Sequence, residues 1–403
     1  MKFIDFFSGI GGFRLGMEMA GHECVGHCEI DKFADKSYRA MHDVKEGEWF
    51  ATDIRTVEPG DLPESDCYCG GFPCQSFSVA GKRGGFEDTR GTLFFEVMRL
   101  AAVRKPKYLF MENVAGLLSH NGGKTFGTIL NTLGQLGYWY EYQVLNSKNY
   151  GVPQNRERVF IIGHLGKYSR REVFPISHSN GQTNGNERQT VCTNTLTTRT
   201  TADSVGTYIV EDKQQAQNEL KQIIGGSQGN RVYDIGGVSC TLASQAGGMG
   251  AKTGLYMVQA VLTPDRQEKR QNGRRMKEPD EEMFTLTAQD KHGVMITEAT
   301  KQGYVVAQEG DSINLAVPNS QTRRGRVGKG VANTLDTSCN QAILSRGRIR
   351  RLTPRECFRL QGFTDTYFDR AAQVNSDSQL YKQAGNSVTV NVIYEIARRL
   401  NNE

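Results

Sequence analysis

From Lys2 to about residue 165, short runs rich in β-branched and aromatic residues alternate with stretches of helical periodicity. Residues 2–7, 24–30, 66–70, 108–112, 141–145 and 159–163 read as strands, and helices are expected to begin near Gly12, Lys32, Thr92 and Lys124. This alternation predicts a parallel sheet flanked by helices. The first region is therefore expected to be a doubly wound, Rossmann-like α/β domain whose ligands sit outside the carboxyl ends of the strands.

After Lys167 the pattern changes. Gly, Thr, Asn, Gln and Ser rise, helical periodicity stops, and short apolar triplets alternate with polar loops until about residue 345. Within this stretch Thr195-Leu196, Thr241-Leu242, Thr285-Leu286 and Thr334-Leu335 recur at intervals of 46, 44 and 49 residues, and Arg231, Arg275 and Arg324 each precede a pair by ten. A β-rich run follows every pair: 208–210, 255–258, 294–296 and 342–344. A duplicated β unit is the reading. Helical pattern resumes at 354–361 and 388–400, so the expected division is 1–166, a smaller β-rich module at 167–348, and a segment at 349–403 that returns to the first domain.

A length of 403 residues agrees with two domains, since it exceeds the usual reach of one hydrophobic core. No apolar run approaches the roughly 18 residues of a membrane helix, and the strand-like start lacks the pattern of a secretory signal. A cytoplasmic protein without membrane partners is expected. The nine cysteines contain no C-x-x-C pair, so no metal is expected, and most of the thiols should be small buried hydrophobes. The net charge is +5, but Arg323, Arg324, Arg326, Lys329, Arg346, Arg348, Arg350 and Arg351 crowd one region, which suits a polyanionic partner.

Residues 5–12 (DFFSGIGG) form a strand entering a glycine-rich turn that opens a helix, where bare backbone can approach a nucleotide-like ligand. Such turns are widespread. Glu29 follows at the end of the second strand, where a carboxylate can accept from ribose hydroxyls, and Asp53 falls at a third strand end, suited to an adenine amino group. Together they describe an adenosine pocket without a pyrophosphate grip, favouring S-adenosylmethionine over NAD. Residues 70–78 (GGFPCQSFS) place Cys74 just past a strand beside that pocket, a setting for a thiolate nucleophile. Cys24, Cys28, Cys67 and Cys69 read as structural.

Pro73-Cys74-Gln75, Glu112-Asn113-Val114 and Gln154-Asn155-Arg156-Glu157-Arg158 resemble, in order and spacing, the motifs of the cytosine-C5 DNA methyltransferase family. The likeness extends to Asp88-x-Arg90-Gly91-x-Leu93-Phe94, Arg351-Leu352-Thr353-Pro354-Arg355-Glu356 and Gly385-Asn386-Ser387-Val388. It covers about 1–165 and 349–400, with the middle similar only as a variable region containing Thr-Leu. The resemblance implies methylation of cytosine C5 in a specific double-stranded DNA sequence, with base flipping and covalent catalysis. In it Cys74 is the nucleophile, Glu112 the acid at N3, Asn113 a brace for the Cys74 loop, and Arg158 with Arg156 the grip on the cytosine carbonyl and nearby carboxylates.

For S-adenosylmethionine the resemblance carries over Phe7, Gly9, Ile10, Gly11, Glu29, Ile30, Asp53, Ile54, Pro73, Leu93, Asn386 and Ser387. Ile30 departs from the aromatic residue that the family often places against the adenine. Gln75, Ser78 and the three spaced arginines are candidates for contact with DNA. The implied protein is a monomer from a bacterial or phage genome; whether it belongs to a restriction system, with an endonuclease encoded nearby as an indirect partner, to a bacteriophage or to an orphan regulator is not legible in the sequence. A tRNA methyltransferase of related fold would use the same pocket, but its relatives lack a module as long as 167–348. A DNA-binding module without catalysis is disfavoured by the intact Cys74, Glu112 and Arg158, and an NAD oxidoreductase by the missing fingerprint. The target sequence and the base that removes the C5 proton are not legible.

Overall fold

A computed structural model describes residues 1–73, 93–166, 173–176, 222–224, 232–233, 255–256, 259–262, 292–316, 322, 324–345 and 348–400. Cys74, Gln75, Ser78, Arg231 and Arg275 lie outside them, as do the first three Thr-Leu pairs.

Seven strands build the central sheet: β1 (Lys2–Phe6), β2 (Glu23–Cys28), β3 (Trp49–Ala51), β4 (Cys67–Gly71), β5 (Tyr108–Val114), β6 (Tyr138–Asn146) and β7 (Glu157–Leu165). Their order is β3-β2-β1-β4-β5-β7-β6. The strands from β3 to β5 pair in parallel. Helices α1 (Gly12–Met19), α2 (Lys32–Met41), α3 (Leu93–Arg104) and α4 (Lys124–Gln135) fall between strands, as the periodicity predicts.

The parallel sheet expected from the alternation is parallel from β3 to β5, and at one edge β7 runs antiparallel to both β5 and β6. Only a short 3₁₀ turn at Ser147–Asn149 and a few more residues separate β6 from β7, too little chain for a helical crossover. β3 is the third strand whose end is expected at Asp53, although its three residues carry too little periodicity for its bounds to be read.

Alternate side chains of each strand enter opposite layers. Ile4, Phe6, Tyr68, Leu109 and Met111 pack with Met98 of α3 and Ile129 of α4. Phe3, Cys67, Cys69, Phe110 and Ile162 pack with Ile393, Ile396 and Leu400 of the last helix, α8 (Val390–Leu400). The chain's end is thus part of the core. Gly16 of α1 makes this possible, since a β-carbon there would lie 2.6 Å from Cβ of Ile393. Before α8 come α5 (Pro354–Leu360), α6 (Asp365–Ala372) and α7 (Asp377–Asn386). The Thr353-Pro354-Arg355-Glu356 motif starts α5 as a capping box, with Pro354 in the first turn.

Two compact units emerge, Met1–Asn194 with Thr334–Cys339 and Thr353–Glu403, and Thr195–Asn333 with Asn340–Leu352. The fourth Thr-Leu pair therefore belongs to the first unit. Among the described residues, the second unit is β-rich. Gln259–Leu262, His292–Thr297 and Tyr304–Gln308 form one antiparallel sheet. Val327–Gly328, Ser312–Asn314, Gln341–Ser345 and Arg348–Arg351 form another. Val294, Ile296, Ala307, Ile313, Ala342 and Leu344 are its small core. No helix among the described residues is long and apolar enough to cross a membrane.

Candidate active site

The carboxyl ends of β1, β2, β3, β4 and β5 open on one pocket of about 390 Å³ in the first unit. A parallel sheet delivers its strand ends to one edge, so residues far apart in sequence meet there. β7 contributes through its beginning instead of its end. Because it is antiparallel, Arg158 pairs in register with Val114 and lies at the same edge.

The β1 turn is sharply bent, with positive φ at Phe7, Gly9 and Gly11. His42, at the end of α2, holds it. Its Nε2 lies 3.0 Å from the Ile10 carbonyl, to which it must donate, and its ring fills the space beside Gly11. Burial pushes the His42 pKa down to about 4, so the ring is neutral at physiological pH. Across the turn, the Glu29 carboxylate accepts from the N–H of Gly9 and of Asp31, both at 2.7 Å. Burial raises its pKa and these two bonds oppose the rise. Asp53 forms a forked pair with Arg55, with Arg55 Nη2 2.6 Å from its carboxylate, which lowers the Asp53 pKa.

At the other end of the pocket, Glu112 is 7% exposed and pairs with Arg158 at 3.0 Å. Burial is the larger influence on Glu112 and raises its pKa, with Arg158 and then Arg156 opposing. Asn113 Nδ2 donates to the Phe72 carbonyl at 2.7 Å, while its Oδ1 accepts from the Val114 N–H. This fixes the backbone immediately before Pro73. Arg156 is 3% exposed, and its Nη atoms donate to the carbonyls of Leu335, Gly385 and Ser387 at 3.2, 3.3 and 2.8 Å. Burial, and next the charge of Arg158, work against its charged form.

A sequence profile described as C-5 cytosine-specific DNA methylase matches residues 1–402. The chain belongs to this family. Orphan methyltransferase M.SPRI of Bacillus phage SPR is 33% identical, over 99% of this chain and 97% of the relative. Type II methyltransferase M.HhaI of Haemophilus parahaemolyticus is 31% identical, over 98% and 93%. Among solved structures, a putative DNA modification methyltransferase encoded within an E. coli prophage aligns with a TM-score of 0.51 at 18% identity, over 100% of this chain and 99% of that one. That likeness supports the fold.

In this DNA (cytosine-5)-methyltransferase, a methyl donor and a DNA substrate follow from the family. Of the residues assigned to the cofactor from sequence, Phe7, Gly9, Glu29, Ile30, Asp53, Ile54, Pro73, Leu93 and Asn386 line the pocket. Ile10, Gly11 and Ser387 do not line it; Ile10 and Ser387 are buried behind it at 1% and 6% exposure. Sequence reasoning missed Asp31 and Lys382, which pair at 2.7 Å on the pocket wall, and His42 behind the turn. Lys382 stands one helical turn before the recognised Asn386, a spacing that could have drawn it in. Nothing local marks His42. Arg324, in the second unit, is exposed and donates through Nε to the Ala299 carbonyl at 3.0 Å.

The four cysteines read as structural are buried. Burial pushes the Cys24 and Cys28 thiols up to about 12 and raises those of Cys67 and Cys69 as well, which leaves all four inert as nucleophiles.

Proposed function

We propose that the enzyme methylates carbon 5 of cytosine within a specific duplex DNA sequence, using S-adenosylmethionine, by base flipping and covalent catalysis through Cys74. The observation that carries this reading is the buried Glu112–Arg158 pair at one end of a pocket whose other end presents the Glu29 and Asp53 carboxylates. The donor set fits an adenosyl group: two carboxylates to accept from hydroxyls and an amine, with apolar Phe7, Ile30 and Ile54 between them. Bound there, S-adenosylmethionine supplies an electrophilic methyl group on a sulfonium.

Cytosine C5 is too weak a nucleophile to accept that methyl unaided. The Cys74 thiolate adds to C6, forming the S–C6 bond and pushing the π electrons toward C5. Glu112 assists by holding a proton at N3, for which its raised pKa suits it. Arg158 orients Glu112 and donates to the cytosine carbonyl. Asn113, by fixing the Phe72 carbonyl, sets where the chain departs toward Cys74. Once C5 carries the methyl group, loss of its proton restores the double bond and expels the thiolate. The target base reaches this pocket only by leaving the helical stack, at a cost of a few kcal/mol.

Residues 167–348 supply target recognition in this reading, with Arg231, Arg275 and Arg324 facing DNA and Gln75 and Ser78 beside the flipped nucleotide. The protein acts as a monomer in the cytoplasm of a bacterium or phage-infected host. Transfer of labelled methyl to duplex DNA and to RNA, followed by bisulfite sequencing, is the test. Cys74→Ala should abolish transfer, and 5-fluorocytosine in the target should trap a covalent adduct on the peptide carrying Cys74. Methylation of RNA alone, or an adduct on another cysteine, would refute this assignment.

A further inference from the structure

Arg156 stands apart from the Glu112–Arg158 pair. Its guanidinium is almost fully buried and makes no ion pair among the described residues, which is costly unless main-chain dipoles replace water. They do so at the two Nη atoms, from two separate stretches, while Nε has no partner among the described residues. Nη2 donates to the Gly385 and Ser387 carbonyls, which flank the pocket residue Asn386, and Nη1 donates to the Leu335 carbonyl of the fourth Thr-Leu pair.

The Thr334–Cys339 segment is fastened at further points. Thr334 Oγ1 donates to the Asn155 carbonyl at 2.7 Å, and the Leu335 N–H donates to Gln154 Oε1 at 3.1 Å. The Cys339 thiol donates to the Tyr381 carbonyl of α7. The Asp336 carbonyl lies against Gly385, where a β-carbon has no room, and Thr337 Cα would be 2.8 Å from it. In sequence the segment is an excursion from the second unit, which supplies the residues on both sides of it.

We propose that Arg156 is a positioning residue that latches the Thr334–Cys339 segment to the 385–387 turn, so that occupancy of the cofactor pocket and engagement of DNA through residues 167–348 reinforce each other. This rests on the proposed recognition role of that region. A ligand that orders the 385–387 turn also orders the segment, and by linkage the reverse holds with the same factor. The fourth Thr-Leu pair is then an anchor within the first unit, unlike its three sequence counterparts.

The experiment titrates S-adenosylhomocysteine calorimetrically, without and with saturating sonicated unmethylated bacterial chromosomal DNA, and takes the ratio of the two affinities. The parent should show DNA tightening the nucleoside about 5-fold or more, the lower end of common coupling. Arg156→Gln should bring that ratio close to 1, and Arg156→Lys should retain part of it, since an ammonium can still donate to the carbonyls. Thr334→Val, a mild change at the half-buried far end of the latch, and Gly385→Ala should each lower the ratio. Thr334→Val keeps the test valid if Arg156→Gln does not fold. A merely structural role would weaken both affinities by one factor and leave the ratio unchanged. An unchanged ratio in Arg156→Gln and Thr334→Val, or a ratio of 1 in the parent, overturns the latch. Absence of methyl transfer by the parent to the same DNA instead refutes the functional assignment.

Discussion

Ile30 is 63% exposed, lines the pocket beside Glu29, and stands where the family often has an aromatic ring. If adenine lies against residue 30, Ile30→Trp should tighten cofactor binding. Being exposed, the position should accept the larger ring within about 0.5 kcal/mol of parent stability. The indole offers roughly 40 Å² of additional apolar contact, worth about 1 kcal/mol at about 25 cal/mol per Å². Stacking geometry adds about 0.5–1.5 kcal/mol, and immobilising the side chain takes back about 0.5–1 kcal/mol. The net of about 0.5–2 kcal/mol corresponds to a dissociation constant roughly 2- to 30-fold lower for S-adenosylhomocysteine. Calorimetric titration, with quenching of the new indole fluorescence as a second signal, measures it. Because this contact is made equally in ground and transition states, kcat at saturating cofactor should not rise. Ile30→Phe guards against a purely steric failure of the indole. If both variants fold normally and bind no more tightly than the parent, the adenine is elsewhere in the pocket and the orientation assigned from Glu29 and Asp53 is wrong.

Three other predictions concern charge. Glu112→Gln should reduce turnover by about 10²- to 10⁴-fold, the usual contribution of a positioned acid. Since burial raises the Glu112 pKa, the protonated form persists above the ordinary carboxyl range and is lost as pH rises through the folded value; the corresponding decline in parent kcat/KM should be missing from the variant, and a profile with the same decline would assign it to another group. Asp5 is fully buried with neither carboxyl oxygen completing a hydrogen bond, and burial raises its pKa well above the ordinary value against weaker opposition from Arg14. The folded state then holds this proton where the unfolded chain, with a pKa of about 3.9, has released it, so stability falls as pH rises from there toward the folded value. Asp5→Asn should therefore lose less thermal stability than the parent between pH 5 and pH 8, and equal losses would show that Asp5 does not titrate there. Arg324→Ala should relax one position of the methylated site in bisulfite reads if the arginine reads a base, or lower the salt dependence of DNA binding if it holds a phosphate; a variant matching the parent in both would remove Arg324 from the interface.

Legibility in the sequence followed how each residue is brought to its place. Glu29, Glu112 and Asn113 stand at the ends of short apolar runs, and in a doubly wound sheet a strand's carboxyl end is already a position at the ligand edge, so local pattern and motif agree. Arg158 needed one more fact, the antiparallel course of β7, which depends on the shortness of a connection and on no residue type. His42 braces the β1 turn from the end of α2, where nothing local marks it, and Lys382 comes from α7, more than 340 residues after Asp31, so that only its spacing to Asn386 could point to it.

The Thr-Leu repeat shows a different limit. Four copies with like flanks read as equivalent parts of one module, because similarity of sequence constrains local conformation far more than it constrains surroundings. The fourth copy has Leu335 buried to 2% exposure, its carbonyl taken by Arg156 and its N–H by Gln154, all within the first unit. Those partners come from the Gln154-Asn155-Arg156 motif, in which the resemblance gives Arg156 the cytosine carbonyl and nearby carboxylates and gives Gln154 no role. The Arg156 guanidinium, its Nη atoms bonded only to carbonyls and its Nε already without a partner among the described residues, cannot release one segment without leaving a further unpaired donor, a loss of about 1–3 kcal/mol. Arg156 thus joins, by hydrogen bonds within the first unit, the Thr334–Cys339 segment, flanked in sequence by the second unit, to residues 385–387.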